Sequence, residues 1–181
     1  NPPAPSAGLV LERGLRAALD QGGQLKPYFQ PKISAATGEV VGAEVLLRWQ
    51  HPTLGFITPD RFISLAEECG LIHPISEWLI GEVCELIADW QAMRQECGTI
   101  SINLSANSFF DRSLIQFINE VLERTGVPAS KLIIELTESV LMQNADIAHQ
   151  VIGEIRGRGI RISLDDFGTG QSSLAYLRRL P

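Results

Sequence analysis

The chain has 181 residues, 45% of them hydrophobic and 20% charged, with 15 Lys and Arg against 21 Asp and Glu. Those proportions describe a globular chain with apolar residues enough for a sizeable core, which excludes a disordered, collagen-like or disulfide-scaffold protein. A formal net charge of −6 argues against a nucleic-acid-binding domain, because binding a DNA or RNA polymer rests on a basic surface.

Residues 1–8 (NPPAPSAG) read as a Pro-rich linker. A short helix follows over 9–20, stopped by Gly22-Gly23. Residues 27–33 read as a first strand, with its two Pro at an end or edge, and 39–49 as a second. The tight turn at 35–38 makes the two antiparallel neighbours. Residues 51–58, including His51, read as a loop, and Pro59 opens a helix to Gly70 with Thr58 as its N-cap. The strongest helical periodicity covers 75–95, with Ile75, Trp78, Leu79, Val83, Leu86, Ile87, Trp90 and Met93 on the core side and Cys84 and Cys97 in the same pattern. Strands at 99–104, 131–136 and 160–165 alternate with helices at 111–125, 145–158 and 172–179.

Five strands result. After the opening hairpin, near-continuous apolar strands alternate with helices, the pattern of a parallel sheet covered on its faces. The fold class is α/β: a (β/α)₈ TIM-like barrel with an antiparallel first strand, represented here by about its first five strands. A full barrel takes about 250 residues. Five strands do not close it, so residues 1–181 alone are expected to be inactive and prone to associate.

Polar residues sit at or near the C-terminal ends of four strands: Glu44, Asn103, Glu135 and Asp165, with Asp166 next in sequence. In a parallel barrel these ends share one rim, where active sites lie. Oxygen donors without His or Cys suit Mg²⁺ or Mn²⁺. Any one of these acids reads equally as a solvated charge or an ion-pair partner. Glu44, Leu46 and Arg48 alternate onto one strand face, which places a phosphate-binding guanidinium, or a surface ion pair, beside the acid. Trp49 points the other way, toward the core. No nucleophile–base pair is evident, since Ser105 and Ser139 have no His partner, and the three His are scattered. The three Cys form no Cys-x-x-Cys and read as reduced thiols. No apolar run reaches the roughly 18 residues of a membrane span. A cytoplasmic location is expected, with any membrane tether supplied by other parts of a parent protein.

Six blocks in order resemble the EAL-domain family of cyclic di-GMP phosphodiesterases: Tyr28-Phe29-Gln30-Pro31-Lys32, Glu44-Val45-Leu46-Leu47-Arg48-Trp49, Pro59-Asp60-Arg61-Phe62-Ile63, Ile102-Asn103-Leu104-Ser105, Glu135-Leu136-Thr137-Glu138-Ser139 and Asp165-Asp166-Phe167-Gly168-Thr169-Gly170. The resemblance makes residues 9–181 the N-terminal two-thirds of an EAL domain. It implies Mg²⁺- or Mn²⁺-dependent hydrolysis of cyclic di-GMP to linear pGpG in bacterial second-messenger signalling. It further implies Glu44, Asn103, Glu135 and Asp165 as ligands of a first metal and Asp166 as serving a second. Glu138 would hold the 165–170 loop, and Gln30, Leu46 and Arg48 would contact the ligand. Glu44, Asp166 and Glu138 are thus the catalytic set. The signature triplet here is Glu44-Val45-Leu46, with Val in the place of the family's Ala. The family's later Lys, Glu and Gln fall beyond Pro181. The alternative is a non-catalytic receptor that binds cyclic di-GMP and signals to a protein partner. Regulatory domains in the parent protein and a homodimer are further expectations of the family.

Overall fold

A computed structural model describes residues 7–165. The first helix, α1 (Ala7–Gln21), begins two residues before the expected start. β1 (Leu25–Ile33) and β2 (Val40–His51) form the antiparallel hairpin, and β3 (Gly55–Ile57) folds back antiparallel on the end of β2. Then come α2 (Pro59–Glu68), α3 (Ile72–Ala92), β4 (Thr99–Asn103), α4 (Ala106–Phe109) and α5 (Arg112–Thr125). A 3₁₀ turn (Ala129–Lys131) leads into β5 (Leu132–Thr137), followed by α6 (Glu138–Gln143), α7 (Ala145–Gly157) and β6 (Arg161–Asp165). The expected helix over 172–179 and the loop after Asp165 lie outside the described residues.

The strand order is β1-β2-β4-β5-β6, with β3 branching from β2. β1 and β2 are antiparallel, whereas β2–β4, β4–β5 and β5–β6 are parallel. This is the partial (β/α) barrel with an antiparallel opening strand that the alternation of elements predicts. Along β2, Val45, Leu47 and Trp49 are buried while Glu44, Leu46 and Arg48 are half-exposed. Period-two alternation thus sends the odd positions into the core and the even ones to the other face. On β5 the buried series is Leu132, Ile134 and Leu136. These residues pack with the apolar stripes of α3, α5 and α7, including Val83, Ile87, Leu114, Ile118, Val151 and Ile155.

Several local expectations are corrected. The described residues hold six strands rather than five, because 55–57 pair with 49–51 in a stretch that reads as a loop. His51 is the last residue of β2 and 8% exposed; its Nδ1 accepts from the backbone N–H groups of Thr53 and Leu54 at 3.2 and 3.1 Å. Thr58 occupies the N-cap position of α2, but its side chain makes no capping hydrogen bond. α3 begins at Ile72, not Ile75, because Pro74 lies in the first turn, where a missing N–H costs nothing. Its stripe also ends sooner: Met93 is 59% exposed, Trp78 and Trp90 are only half-buried, and Cys97 lies beyond the helix. The short helices α4 and α6 have no sequence counterpart above.

The close approach of β2 to β4 depends on Gly42. A Cβ there would stand 2.2 Å from the Thr99 carbonyl oxygen, a backbone atom that cannot turn aside.

Cys84 is fully buried on α3, and that burial, with a smaller push from Glu85 and some relief from Arg124, raises its thiol pKa from 9.0 to about 12. Alkylation at pH 8 is therefore expected to spare Cys84 in the folded protein and to label it once urea is added, while the half-buried Cys69 and Cys97 react first. Peptide mapping reads this; rapid native labelling of Cys84 would contradict it. The raised folded pKa also fixes a sign. The thiol's contribution to stability is complete below pH 9 and is lost as pH rises toward 12, because the unfolded chain ionises first.

Candidate functional site

The C-terminal ends of β4, β5 and β6 come together, beside the middle of β2. Glu44 of β2 is level with Ser101 of β4; Asn103 of β4 is level with Glu135 of β5; Thr137 of β5 is level with Asp165 of β6. Four of the five residues expected to hold metal therefore lie on one face of the sheet: Asn103, Glu135 and Asp165 at or near the ends of their strands, and Glu44, contrary to the expectation of a strand end, midway along β2, which runs on past its pairing with β4. Asp166 lies outside the described residues.

Two of them already touch: the Asn103 side-chain Nδ2–H donates to Glu44 Oε1 at 2.7 Å. With its nitrogen engaged there, Asn103 keeps its carbonyl oxygen as the donor an ion would take. Glu135 is 7% exposed and accepts a charge-assisted hydrogen bond from Lys32 Nζ, which also donates to Ser101 Oγ at 2.7 Å. A carboxylate this deeply placed needs such a partner. Among the described residues no three His, Cys, Asp or Glu side chains converge as a ready metal cluster. The donors at this end are oxygens from two acids and an amide, with Asp165 beside them on β6, and that chemistry fits a hard divalent cation.

The hairpin supplies the rest of the face. Gln30 is directly opposite Glu44 and Tyr28 opposite Leu46, so both β1 side chains share the face of the acid. Arg48 donates from Nη1 to the Leu47 carbonyl at 3.0 Å, and its guanidinium carbon lies 5.8 Å from the centroid of the Tyr28 ring. A cleft of about 310 Å³ lies beside these strand ends. Leu46, Arg48, Asn103 and Glu135 line it together with Pro59 and Ile63 of α2. A second hollow of about 320 Å³, near the opposite ends of β2 and β4, is lined mainly by apolar groups such as Phe29, Trp90 and Ile100 and holds none of the strand-end acids.

Glu138 opens α6, one residue after β5 ends. That places it near the rim, while the 165–170 loop it is expected to hold is described only as far as Asp165. Three residues of this face have no assigned role in the sequence reading: Tyr28, Lys32 and Ser101. Tyr28 and Lys32 follow from the period of two that includes Gln30. Ser101 follows only from the parallel register with Glu44, which no local pattern encodes.

This arrangement is that of an EAL domain, and the family model for the EAL domain matches residues 12–181. The chain belongs to that family. It is 43% identical over 173 residues to the bifunctional diguanylate cyclase/cyclic di-GMP phosphodiesterase MucR of Pseudomonas aeruginosa PAO1, covering 96% of this chain and 25% of MucR. It is 40% identical to the cyclic di-GMP phosphodiesterase NbdA of the same organism, over 96% of this chain and 22% of NbdA. The chain thus spans about a quarter of the length of these relatives. Among solved structures, a complex of the MucR phosphodiesterase with c-di-GMP superposes with a TM-score of 0.89 at 42% identity, over 95% of this chain and 69% of that one. No helix among the described residues is long and apolar enough to cross a membrane.

Proposed function

We propose that this domain is the N-terminal part of a cytoplasmic, divalent-metal-dependent phosphodiesterase that hydrolyses cyclic di-GMP to linear pGpG. One observation carries the reading: Asn103, Glu135 and Asp165 lie at or near the C-terminal ends of adjacent parallel strands, Glu44 of β2 is hydrogen-bonded to Asn103 on the same face, and Arg48 stands on the same face of β2 as Glu44. The relatives named above as cyclic di-GMP phosphodiesterases support the substrate.

Glu44, Asn103, Glu135 and Asp165 would hold a first Mg²⁺ or Mn²⁺ and Asp166 a second. Bound there, such ions acidify a water and neutralise a phosphodiester's charge. The chain's own groups do the rest. Arg48, steadied by the Leu47 carbonyl and the Tyr28 ring, offers N–H donors to a phosphate oxygen. Leu46 and Gln30 contact the guanine region. The buried Ile102 and Ile134 behind the rim keep water away from the back of the strands. Glu138 holds the 165–170 loop. A homodimer and regulatory domains elsewhere in the parent protein complete the proposed arrangement.

The test is chromatography of products from cyclic di-GMP with the full-length protein, in Mn²⁺ or Mg²⁺ and again in EDTA. The proposal expects pGpG with metal and none with EDTA. Intact cyclic di-GMP in both would overturn it, and retained binding of the dinucleotide in that case would indicate a receptor.

A further inference from the structure

Among the described residues Lys32 is the cation hydrogen-bonded to Glu135, and beyond satisfying that buried carboxylate it has no task so far. It sits at the end of β1, directly opposite Gly42 of β2. Gly42 has no side chain to block the way, so the Lys32 amine reaches past β2 to Ser101 on β4 and Glu135 on β5. One ammonium therefore ties three strands together beneath the rim. The Glu135 side chain is 8% exposed, and among the described residues its side-chain partner is Lys32.

We infer that Lys32 is a positioning residue for Glu135, fixing the orientation in which that carboxylate meets a divalent cation; the inference rests on the metal reading proposed above. A carboxylate has two oxygens with about four lone-pair sites. Lys32 occupies Oε1 from the side of Ser101, which leaves Oε2 for a ligand at the rim. Without the amine, Glu135 keeps its depth but loses the bond that sets its rotation. Ser101 contributes by holding Lys32 rather than the acid. Partners of this kind, which touch a ligand and not the ion, change metal affinity by roughly 10–100-fold when removed.

The experiment is a Mn²⁺ titration of the full-length protein, with free Mn²⁺ followed by electron paramagnetic resonance. It compares the wild type with Glu135→Gln, Lys32→Met and Ser101→Ala. Glu135→Gln is expected to lose the site. Lys32→Met is expected to weaken Mn²⁺ binding by roughly 10–100-fold, and Ser101→Ala by a few-fold, since it loosens Lys32 without removing it. Ser101→Ala retains the ion pair, so it decides the matter if Lys32→Met fails to fold. With the metal saturating, kcat of Lys32→Met should lie closer to the wild-type value than its apparent affinity for Mn²⁺ does. Unchanged or tighter Mn²⁺ binding in Lys32→Met, with Glu135→Gln weakened, would overturn the role of Lys32 alone. Unchanged binding in Glu135→Gln would overturn the metal reading of Glu135 and this inference with it.

Discussion

Glu44→Ala in the full-length protein is expected to cut the turnover of cyclic di-GMP by roughly a hundredfold or more, with folding retained, because a metal ligand should cost more than the 10–100-fold of an outer-shell partner. Glu44 is half-exposed on the site face of β2, and its carboxylate accepts from the side-chain amide of Asn103. Removing the side chain deletes an oxygen donor and releases the Asn103 amide, yet it opens no core cavity. Val45→Ala supplies the contrast one residue away. Val45 is 2% exposed and points into the core. Its truncation should cost roughly 1–2 kcal/mol of stability and leave kcat within a few-fold. The paired result separates a rim position from a core position on adjacent residues of one strand. Steady-state kinetics, Mn²⁺ titration and a thermal melt on both variants check it. Near-normal kcat in Glu44→Ala would remove Glu44 from the machinery, and a large kcat loss in Val45→Ala would show that the Glu44-Val45-Leu46 triplet tunes the chemistry.

That contrast also answers what the altered triplet means structurally. The family's Ala is replaced by Val at a position facing away from the acid, where the extra methyl groups add to the buried apolar surface. Nothing in the geometry of the rim is disturbed: Glu44 still meets Asn103, and Leu46 still lies opposite Tyr28.

The parts of this fold that announce themselves in sequence are those with a strong period. The alternation in β2 assigns Glu44, Leu46 and Arg48 to one face and Trp49 to the other, and the structure keeps that division. α5 is similarly plain: Asp111 caps it through Ser113 N–H at 2.9 Å, and Gly126 closes it in the left-handed region. α3 is less legible at both ends. Pro74 suggests a break where the first turn tolerates it. At the other end the chain turns with Arg94 at φ 56°, the one described non-glycine residue with positive φ. The N–H of Gln95 reaches the Trp90 carbonyl at 2.8 Å and that of Arg94 the Gln91 carbonyl at 2.9 Å, a closing pattern in which glycine is usual. Without a glycine to mark the stop, the periodic reading runs on to Gln95.

The site divides along the same line. Asn103 and Asp165 are legible because each ends its strand and Glu135 because it lies two residues from the end of β5, whereas Glu44, midway along β2, is legible only through its alternation with Leu46 and Arg48. The Lys32–Glu135 pair spans 103 positions in sequence and depends on the register of three strand pairs, so no local pattern reports it. Likewise β3 is three residues long and exists because His51, Gln50 and Trp49 offer a partner, not because 55–57 has strong strand character.

Trp49→Ala is the substitution expected to destabilise the fold most, by roughly 3–5 kcal/mol. Trp49 has no exposed surface, pairs with Leu25 on one side and Ile57 on the other, and so fixes β2 between β1 and β3. Its ring meets Phe62 of α2 edge-on at 5.8 Å and His51 at 5.5 Å, and its indole N–H donates to Gln24 Oε1 at 3.3 Å. Truncation removes the aromatic contacts and the burial together, and it leaves a cavity that strands paired on both sides cannot close. The urea midpoint should fall with little change in the slope of the transition, since the same surface is exposed on unfolding. Trp49→Phe, which keeps an edge-to-face partner for Phe62 but loses the indole N–H, should cost roughly half as much. Because Trp49 lies on the opposite face from Glu44 and Arg48, kcat per folded molecule should stay near the wild-type value at low temperature. A loss below about 1 kcal/mol in Trp49→Ala would mean that the hairpin and α2 are held by other contacts. A collapse of kcat in folded protein would mean that the register of β2, and with it the placement of Glu44 at the rim, is set by this one side chain.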